Sequence, residues 1–365
     1  MMLGMEATRS VDALDRAIIA ALQLNGRASW HTIARHVGAE PRTVQRRAAR
    51  LEQAGLLRVI GVVDVLRCGL GVPVLVRYRC RPGAAERVAR SLAARPETRF
   101  VTTVAGSADC VAELVVSDHM QLGRVLASAV ATLPEVVETQ SLPVMHTFTS
   151  AHDWDPGLLP RDAVRELRAG AGRQPFEDRR WEQAPEELDE TDLRIVRVLA
   201  ADGRASYKEI AARTGCSERT AARRVESLVQ RGCLRFRTLA EPEVLGYRVE
   251  FMLWLTVDAA RLEQAGATLA RHPATKYLSA TTGPFGLVGQ VTLRHHGELY
   301  PYTTEVIGAL PGVRAADMTL QTSTVKRAWT PTPAAEAEPS APAPPAHGPL
   351  PPPAPDLAEG ALTHR

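Results

Sequence analysis

The sequence predicts an α+β protein in which two winged helix-turn-helix domains alternate with two ferredoxin-like βαββαβ domains. Three observations carry this reading. The chain repeats itself at a spacing of 177 residues. The first third of each copy reads as three short helices separated by turn glycines, and it is basic. The rest of each copy reads as strand, helix, strand, strand, helix, strand, a pattern that makes an antiparallel sheet with both helices on one face.

The repeat runs without a gap for about 120 residues, too long a period for a solenoid. Asp15, Ile18 and Leu22 fall on Asp192, Ile195 and Leu199, and Gly26-Arg27-Ala28-Ser29 falls on Gly203-Arg204-Ala205-Ser206. Ile33-Ala34 meets Ile210-Ala211, Arg42-Thr43 meets Arg219-Thr220, and Arg46-Arg47 meets Arg223-Arg224. Further on, Gly106 meets Gly283 and Leu133-Pro134 meets Leu310-Pro311. Each copy is therefore a complete module. The implied organisation is helix-turn-helix over 1–62, ferredoxin-like domain over 63–150, linker over 151–187, second helix-turn-helix over 188–240 and second ferredoxin-like domain over 241–330. A tail over 331–365 holds eleven prolines, a composition that cannot bury enough surface to fold, and it is expected to be disordered.

In the first basic segment, Asp15, Ile18, Ile19 and Leu22 start a helix that Gly26 ends. Ser29 caps the second helix, which stops at Gly38; in the other copy Ser206 and Glu209 form a capping box. Pro41 opens the third helix, and Ser217 caps its counterpart. Val44, Ala48 and Leu51 make the core stripe of this helix, and Ala221, Val225 and Leu228 repeat it. Arg42 and Arg46, and Arg219 and Arg223, then point away from the core, with Thr43 and Arg50, and Thr220, beside them; Arg47 and Arg224 follow in the matched Arg-Arg pairs. A capped helix, a glycine turn and an arginine-rich third helix fit the major groove of DNA, where arginine bonds guanine or phosphate. The nine residues Arg42, Thr43, Arg46, Arg47, Arg50, Arg219, Thr220, Arg223 and Arg224 are the candidate DNA-binding set.

The second segment begins with a strand over Val72–Cys80 and a helix over Ala84–Ala94. Strands follow at Phe100–Ala105 and Cys110–Val116, joined by a tight turn through Gly106 and Asp109. A helix over His119–Leu133 and a strand over Val136–Thr149 close the unit. One face of such a sheet is left bare by its helices, so association through the sheets is expected.

Net charge is only +3. Residues 12–60, however, hold eight arginines against four acids, and residues 189–237 hold eleven Arg and Lys against seven acids. Two basic segments suggest two sites for a polyanion. Five cysteines without C-x-x-C spacing argue against a zinc site or a disulfide framework and fit a reducing cytosol. No signal peptide or membrane-spanning run is read, so a cytoplasmic, nucleoid-associated protein without cofactor or metal is expected.

A basic helix-turn-helix followed by a βαββαβ module resembles the Lrp/AsnC (feast/famine) regulators. The residues that carry the resemblance are Leu14-Asp15, Asn25-Gly26-Arg27, Ile33-Ala34, Gly38, Arg46, the run Leu51 to Leu57, and Gly106-x-x-Asp109. The resemblance implies a sequence-specific transcriptional regulator of double-stranded DNA, not an enzyme, that responds to an amino acid or related metabolite and pairs through its sheets. It also makes Gly106 and Asp109 candidate effector contacts, with a plain β-turn as their structural alternative. Two departures stand out. One chain holds two units, so it can mimic a family dimer internally, and the second turn, Gly283-Pro284-Phe285-Gly286, has lost its carboxylate. The enzyme alternative with this architecture is a sirohaem decarboxylase. His146, His152, His295, His296 and Tyr247 are present, but no His-x-Tyr-x-Arg cluster. A sensor that no longer binds DNA is the third reading, and the matched arginines count against it.

Overall fold

The computed structural model describes residues 11–171 and 185–332. The proline-rich tail and part of the segment between the copies lie outside the described residues. Helices α1 (Ala13–Leu24), α2 (Trp30–Val37) and α3 (Pro41–Gln53) precede strand β1 (Arg58–Val63). The first ferredoxin-like module comprises β2 (Val72–Cys80), α4 (Ala85–Ala93), β3 (Thr98–Ala105), β4 (Cys110–Val116), α5 (His119–Thr132) and β5 (Val136–Thr149). After α6 (Arg161–Gly170) the order repeats with α7 (Glu190–Ala201), α8 (Tyr207–Thr214), α9 (Glu218–Gln230) and β6 (Leu234–Leu239). The second module holds β7 (Val249–Val257), α10 (Leu262–Ala270), β8 (Thr275–Thr281), β9 (Leu287–Leu293), and a helical turn at Leu299–Pro301 that continues as a π-helix over Tyr302–Ile307. Strand β10 (Val313–Arg327) ends it, with the short β11 (Thr330–Pro331) folded back on β10.

The helix boundaries follow from local chemistry. Asp12 accepts the Asp15 amide at 2.9 Å, and the Asp15 carboxylate accepts the Asp12 amide in return. Ser29 and Ser206 cap α2 and α8, and Gly38 and Gly215 end them in the left-handed region, at φ 67° and 74°. Glycine takes that conformation without the steric penalty of a β-carbon.

The two sheets do not face separate partners. Strand β5 pairs with β8, β10 pairs with both β3 and β7, and the eight long strands close into one antiparallel barrel. The bare faces of the two sheets thus meet each other inside one chain. Closure removes the free edges that open sheets must protect. The four helical segments cover the outside over two cores, one built on Val74, Val76 and Tyr78, the other on Leu253, Leu255 and Leu278. Inside, Leu75, Val111, Leu142, Met252, Trp254 and Val288 fill the space between the former sheet faces.

Strands β1 and β6 form a separate two-stranded ribbon, Arg58 opposite Leu239 and Ile60 opposite Arg237. Past the ribbon, the chain crosses over. Cys68 packs in the core of the second helix-turn-helix, and Val244, Leu245 and Tyr247 pack in the core of the first. The segment after β5 is also held down. Gln23 donates to the Ala151 carbonyl at 2.6 Å, Trp154 donates to that of Pro273 at 3.0 Å, and Leu167 of α6 is buried against α1.

Candidate nucleic-acid interface

Each third helix is fixed by its apolar stripe. Val44, Ala48 and Leu51 of α3 are buried, as are Ala221, Val225 and Leu228 of α9. On the opposite side Arg42, Arg46, Arg219 and Arg223 are exposed, and among the described residues none of their side chains makes a hydrogen bond or ion pair. Thr43 and Thr220 are half-buried beside them, and the Thr220 hydroxyl lies 2.8 Å from that of Ser217.

The other three arginines of the candidate set are engaged within the protein. Arg47 donates to Asp12 at 2.5 Å and to Asp15 at 3.0 Å, and Arg50 also pairs with Asp15. Arg224 donates to Asp192 at 3.0 Å and pairs with Asp189. The reason lies one helix away. Asp15 is fully buried and Asp192 nearly so, and a carboxylate removed from water needs a cation or several donors. The sequence alone placed Arg47, Arg50 and Arg224 in the candidate set; it did not reveal that the first helix claims them. Arg50 keeps 45% of its side chain exposed.

The Gly-Arg-Ala turn shared by both copies turns out to join them. Arg27 donates to the carbonyls of Gly203 and Ala205 at 2.8 and 3.2 Å. Arg204 returns the contact to Gly26 and Ala28 at 2.5 and 3.1 Å. Each guanidinium also lies over an aromatic ring of the other copy, Arg204 over Trp30 at 3.9 Å and Arg27 over Tyr207 at 5.3 Å. Burial, and then the charge of Arg27, pull the Arg204 pKa down to about 10, which leaves it protonated at neutral pH. The Gly203 amide donates to the Val59 carbonyl at 2.8 Å, and the Thr238 hydroxyl donates to that of Leu22 at 2.7 Å. The two helix-turn-helix units are therefore one pseudo-symmetric pair. The sequence signal existed in the identical four-residue turn, but nothing in its periodicity said what it touches.

The turn at Gly106 and Asp109 has a structural task. The Asp109 carboxylate accepts the Cys80 amide at 2.8 Å, and its backbone bonds Tyr78 and Val104. Gly106 sits at φ 144°, and a β-carbon there would lie 2.9 Å from the Thr319 side chain. The histidines of the enzyme alternative are dispersed. His152 bonds the Ser150 hydroxyl, His146 stacks edge-on against Phe148, and His295 pairs with Glu298 on an exposed turn. Tyr247 donates to the Pro156 carbonyl at 2.9 Å.

A chain with two such helix-turn-helix units on a closed double ferredoxin-like barrel is, by architecture, a covalently joined version of a two-fold regulator fold. Comparison with known proteins agrees. The AsnC-type helix-turn-helix domain matches residues 11–52 and again 188–229, and the Lrp/AsnC ligand binding domain matches residues 74–152. An uncharacterized HTH-type transcriptional regulator of Pyrococcus horikoshii is 33% identical over 141 residues, 38% of this chain and 89% of the relative. The HTH-type transcriptional regulator Ptr1 of Methanocaldococcus jannaschii is 31% identical over 140 residues, 38% of this chain and 95% of the relative. The chain belongs to the Lrp/AsnC family. Among solved structures, the siroheme decarboxylase NirDL superposes with a TM-score of 0.58 at 16% identity, over 88% of this chain and 94% of that one. At that identity the likeness is one of fold.

Proposed function

We propose that this chain is a sequence-specific DNA-binding transcriptional regulator whose two arms are built into one polypeptide. One observation carries the reading: Arg42 and Arg46, and their counterparts Arg219 and Arg223, stand exposed at matching positions of α3 and α9, their side chains unpaired among the described residues. Neighbouring arginines are consumed by buried carboxylates, so these four are left for an external polyanion. Thr43 and Thr220 accompany them at the groove. Arg47, Arg50 and Arg224 hold each recognition helix on its α1 or α7 support, and Arg50 retains enough exposure to reach a phosphate as well. Its role is regulatory and not enzymatic, and its place is the cytoplasm, on the nucleoid. No helix among the described residues is long and apolar enough to cross a membrane.

The two recognition helices differ at Gln45 versus Ala222 and at Arg50 versus Ser227, so the two half-sites differ in sequence. Selection of duplexes from a random pool tests this, and recovery of a perfect palindrome would contradict it. Arg46→Ala and Arg223→Ala each weaken the selected duplex by about 1–3 kcal/mol, and affinity falls steeply with salt. If the double variant bound as the native chain does, the groove assignment would be lost. The fold shared with NirDL supports a second reading as an enzyme acting on sirohaem. A Soret band on adding sirohaem, with no duplex retained, would favour it.

A further inference from the structure

At the mouth of the barrel that faces the β1–β6 ribbon lies a cavity of about 120 Å³. Its apolar wall comes from Val62, Val65, Leu66, Pro73, Leu75 and Met252; its polar wall holds Asp64, which already accepts the Arg67 amide at 3.0 Å, with Arg99, Glu113, Arg235 and Arg237. The carboxylates near this mouth are already claimed. Glu113 takes Arg99 through both oxygens. Glu250 takes Lys276 at 2.8 Å and lies 3.7 Å from Arg327, which also bonds Glu241 at 3.1 Å. Arg237 is left over. Among the described residues its side chain makes no hydrogen bond or ion pair. Burial, and then the positive charges of Arg327 and Arg99, pull its pKa down to about 9 against the weaker opposing pull of Glu113 and Glu250.

A surplus guanidinium in a half-apolar cavity is costly unless something negative joins it. The duplication supplies an internal control. Ile60 sits at the corresponding place in β1 and directly opposite Arg237 in the ribbon. It is packed with Val62 and Ala328 against Leu239 and Trp329. The same backbone position is therefore filled with hydrocarbon in one copy and with an unpaired cation in the other.

We infer that Arg237 and Arg99 hold the carboxylate of a small organic acid whose apolar body fills the barrel mouth beside Leu75 and Met252. The size follows from the cavity. A void on the order of 150 Å³ takes a benzene-sized body, so at about 120 Å³ a single small ring is the upper bound, with its carboxylate outside the apolar space at the polar wall, and a tetrapyrrole does not fit. Because the ribbon belongs to the helix-turn-helix pair and the barrel does not, a ligand here bridges the two. That such bridging alters DNA affinity rests on the function proposed above; the binding itself does not.

Calorimetric titration of the full chain without DNA tests the site, with benzoate as the probe, benzamide as its uncharged counterpart and inorganic phosphate as an anion without a body. Benzoate is expected to bind at least tenfold more tightly than either control. Arg237→Met is expected to abolish that binding while raising the melting temperature of the free protein, because it removes an unpaired, half-buried charge. A structural arginine would instead give a lower melting temperature. Equal benzoate affinity in both proteins, no benzoate binding at millimolar concentrations, or equal binding of phosphate overturns the assignment. If benzoate binds but leaves the selected duplex's affinity unchanged, the site stands and only its regulatory role falls.

Discussion

The first and second copies share a register but not a chemistry, and the places where they part company are informative. Both present two free arginines from the third helix, and both bury an aspartate beneath that helix. The first copy commits Arg47 and Arg50 to Asp15. The second commits Arg224 to Asp192, leaves a serine opposite Arg50, and brings Arg231 to within 3.9 Å of Asp192 while that residue bonds Glu186. Inside the barrel, Arg99 and Glu113 of the first copy become Lys276 and Gln290 in the second, and Ile60 of the first ribbon strand becomes Arg237. What stays constant is the frame: cap, core stripe, Gly-Arg-Ala turn, strand order. What changes lies on the outward faces of the third helices and around the barrel mouth. A duplicated chain is free to make its halves unequal, which a dimer of identical subunits is not.

The largest difference expected on perturbation concerns the buried aspartates. Asp15→Ala strands Arg50, leaves Arg47 with Asp12 alone and removes the acceptor of the Asp12 amide, a loss of about 3 kcal/mol. Asp192→Ala costs less, about 2 kcal/mol, because Arg231 retains Glu186. Chemical denaturation of the two single variants gives the ranking. Equal losses would show that the two supports are interchangeable and that the second carboxylate pair adds nothing.

Much of this frame was legible beforehand. Alternating Val74, Val76 and Tyr78, the caps at Ser29 and Ser206, and the stripe of Val44, Ala48 and Leu51 follow from periodicity and hydrogen-bonding chemistry, which are local. The reciprocal arginines of the turn were visible as a repeat but not as a contact, because a pairing across 177 residues leaves no periodic trace. The same holds for Asp15. An acidic residue in the first turn of a helix reads as a dipole partner, and only the fold shows it buried beneath two guanidinium groups. Arg237 is the extreme case. In sequence it extends a basic segment; in space it faces the barrel.

An intermediate effect separates the two turn glycines. A β-carbon on Gly203 would lie 2.8–2.9 Å from three backbone atoms of Ile60. On Gly26 it would meet the Val59 side chain at 2.9 Å and the Phe236 β-carbon at 3.2 Å. The Val59 methyl rotates away, which leaves the milder 3.2 Å approach to the Phe236 β-carbon, whereas a paired strand's backbone does not yield. Gly203→Ala is therefore expected to cost about 3 kcal/mol and Gly26→Ala about 1 kcal/mol, read from urea midpoints. The reverse order would mean that the ribbon yields more readily than the side chains beneath it.

The smallest difference concerns the caps of α1 and α7 and is read as a salt dependence. The Asp12 and Asp189 carboxyls are both held below their ordinary value of 3.8. At Asp12 the leading cause is the Arg47 guanidinium; at Asp189 it is the backbone amide of Asp192, with Arg224 second. A carboxylate whose folded pKa is depressed stabilises the fold fully above its unfolded pKa and loses that contribution as pH falls through the lower, folded value. Melting temperature should thus drop in both copies below about pH 4, and Asp12→Asn and Asp189→Asn should each flatten that drop. Asparagine still accepts the capping amide, so the substitutions remove charge and leave the cap. An exposed ion pair is screened by salt, while a hydrogen bond to a neighbouring amide is screened less. In 1 M salt the difference between wild type and Asp12→Asn should therefore shrink more than that for Asp189→Asn. Equal shrinkage would mean that the two caps draw on their arginines alike, and the inequality of the halves would be confined to the groove and the barrel mouth.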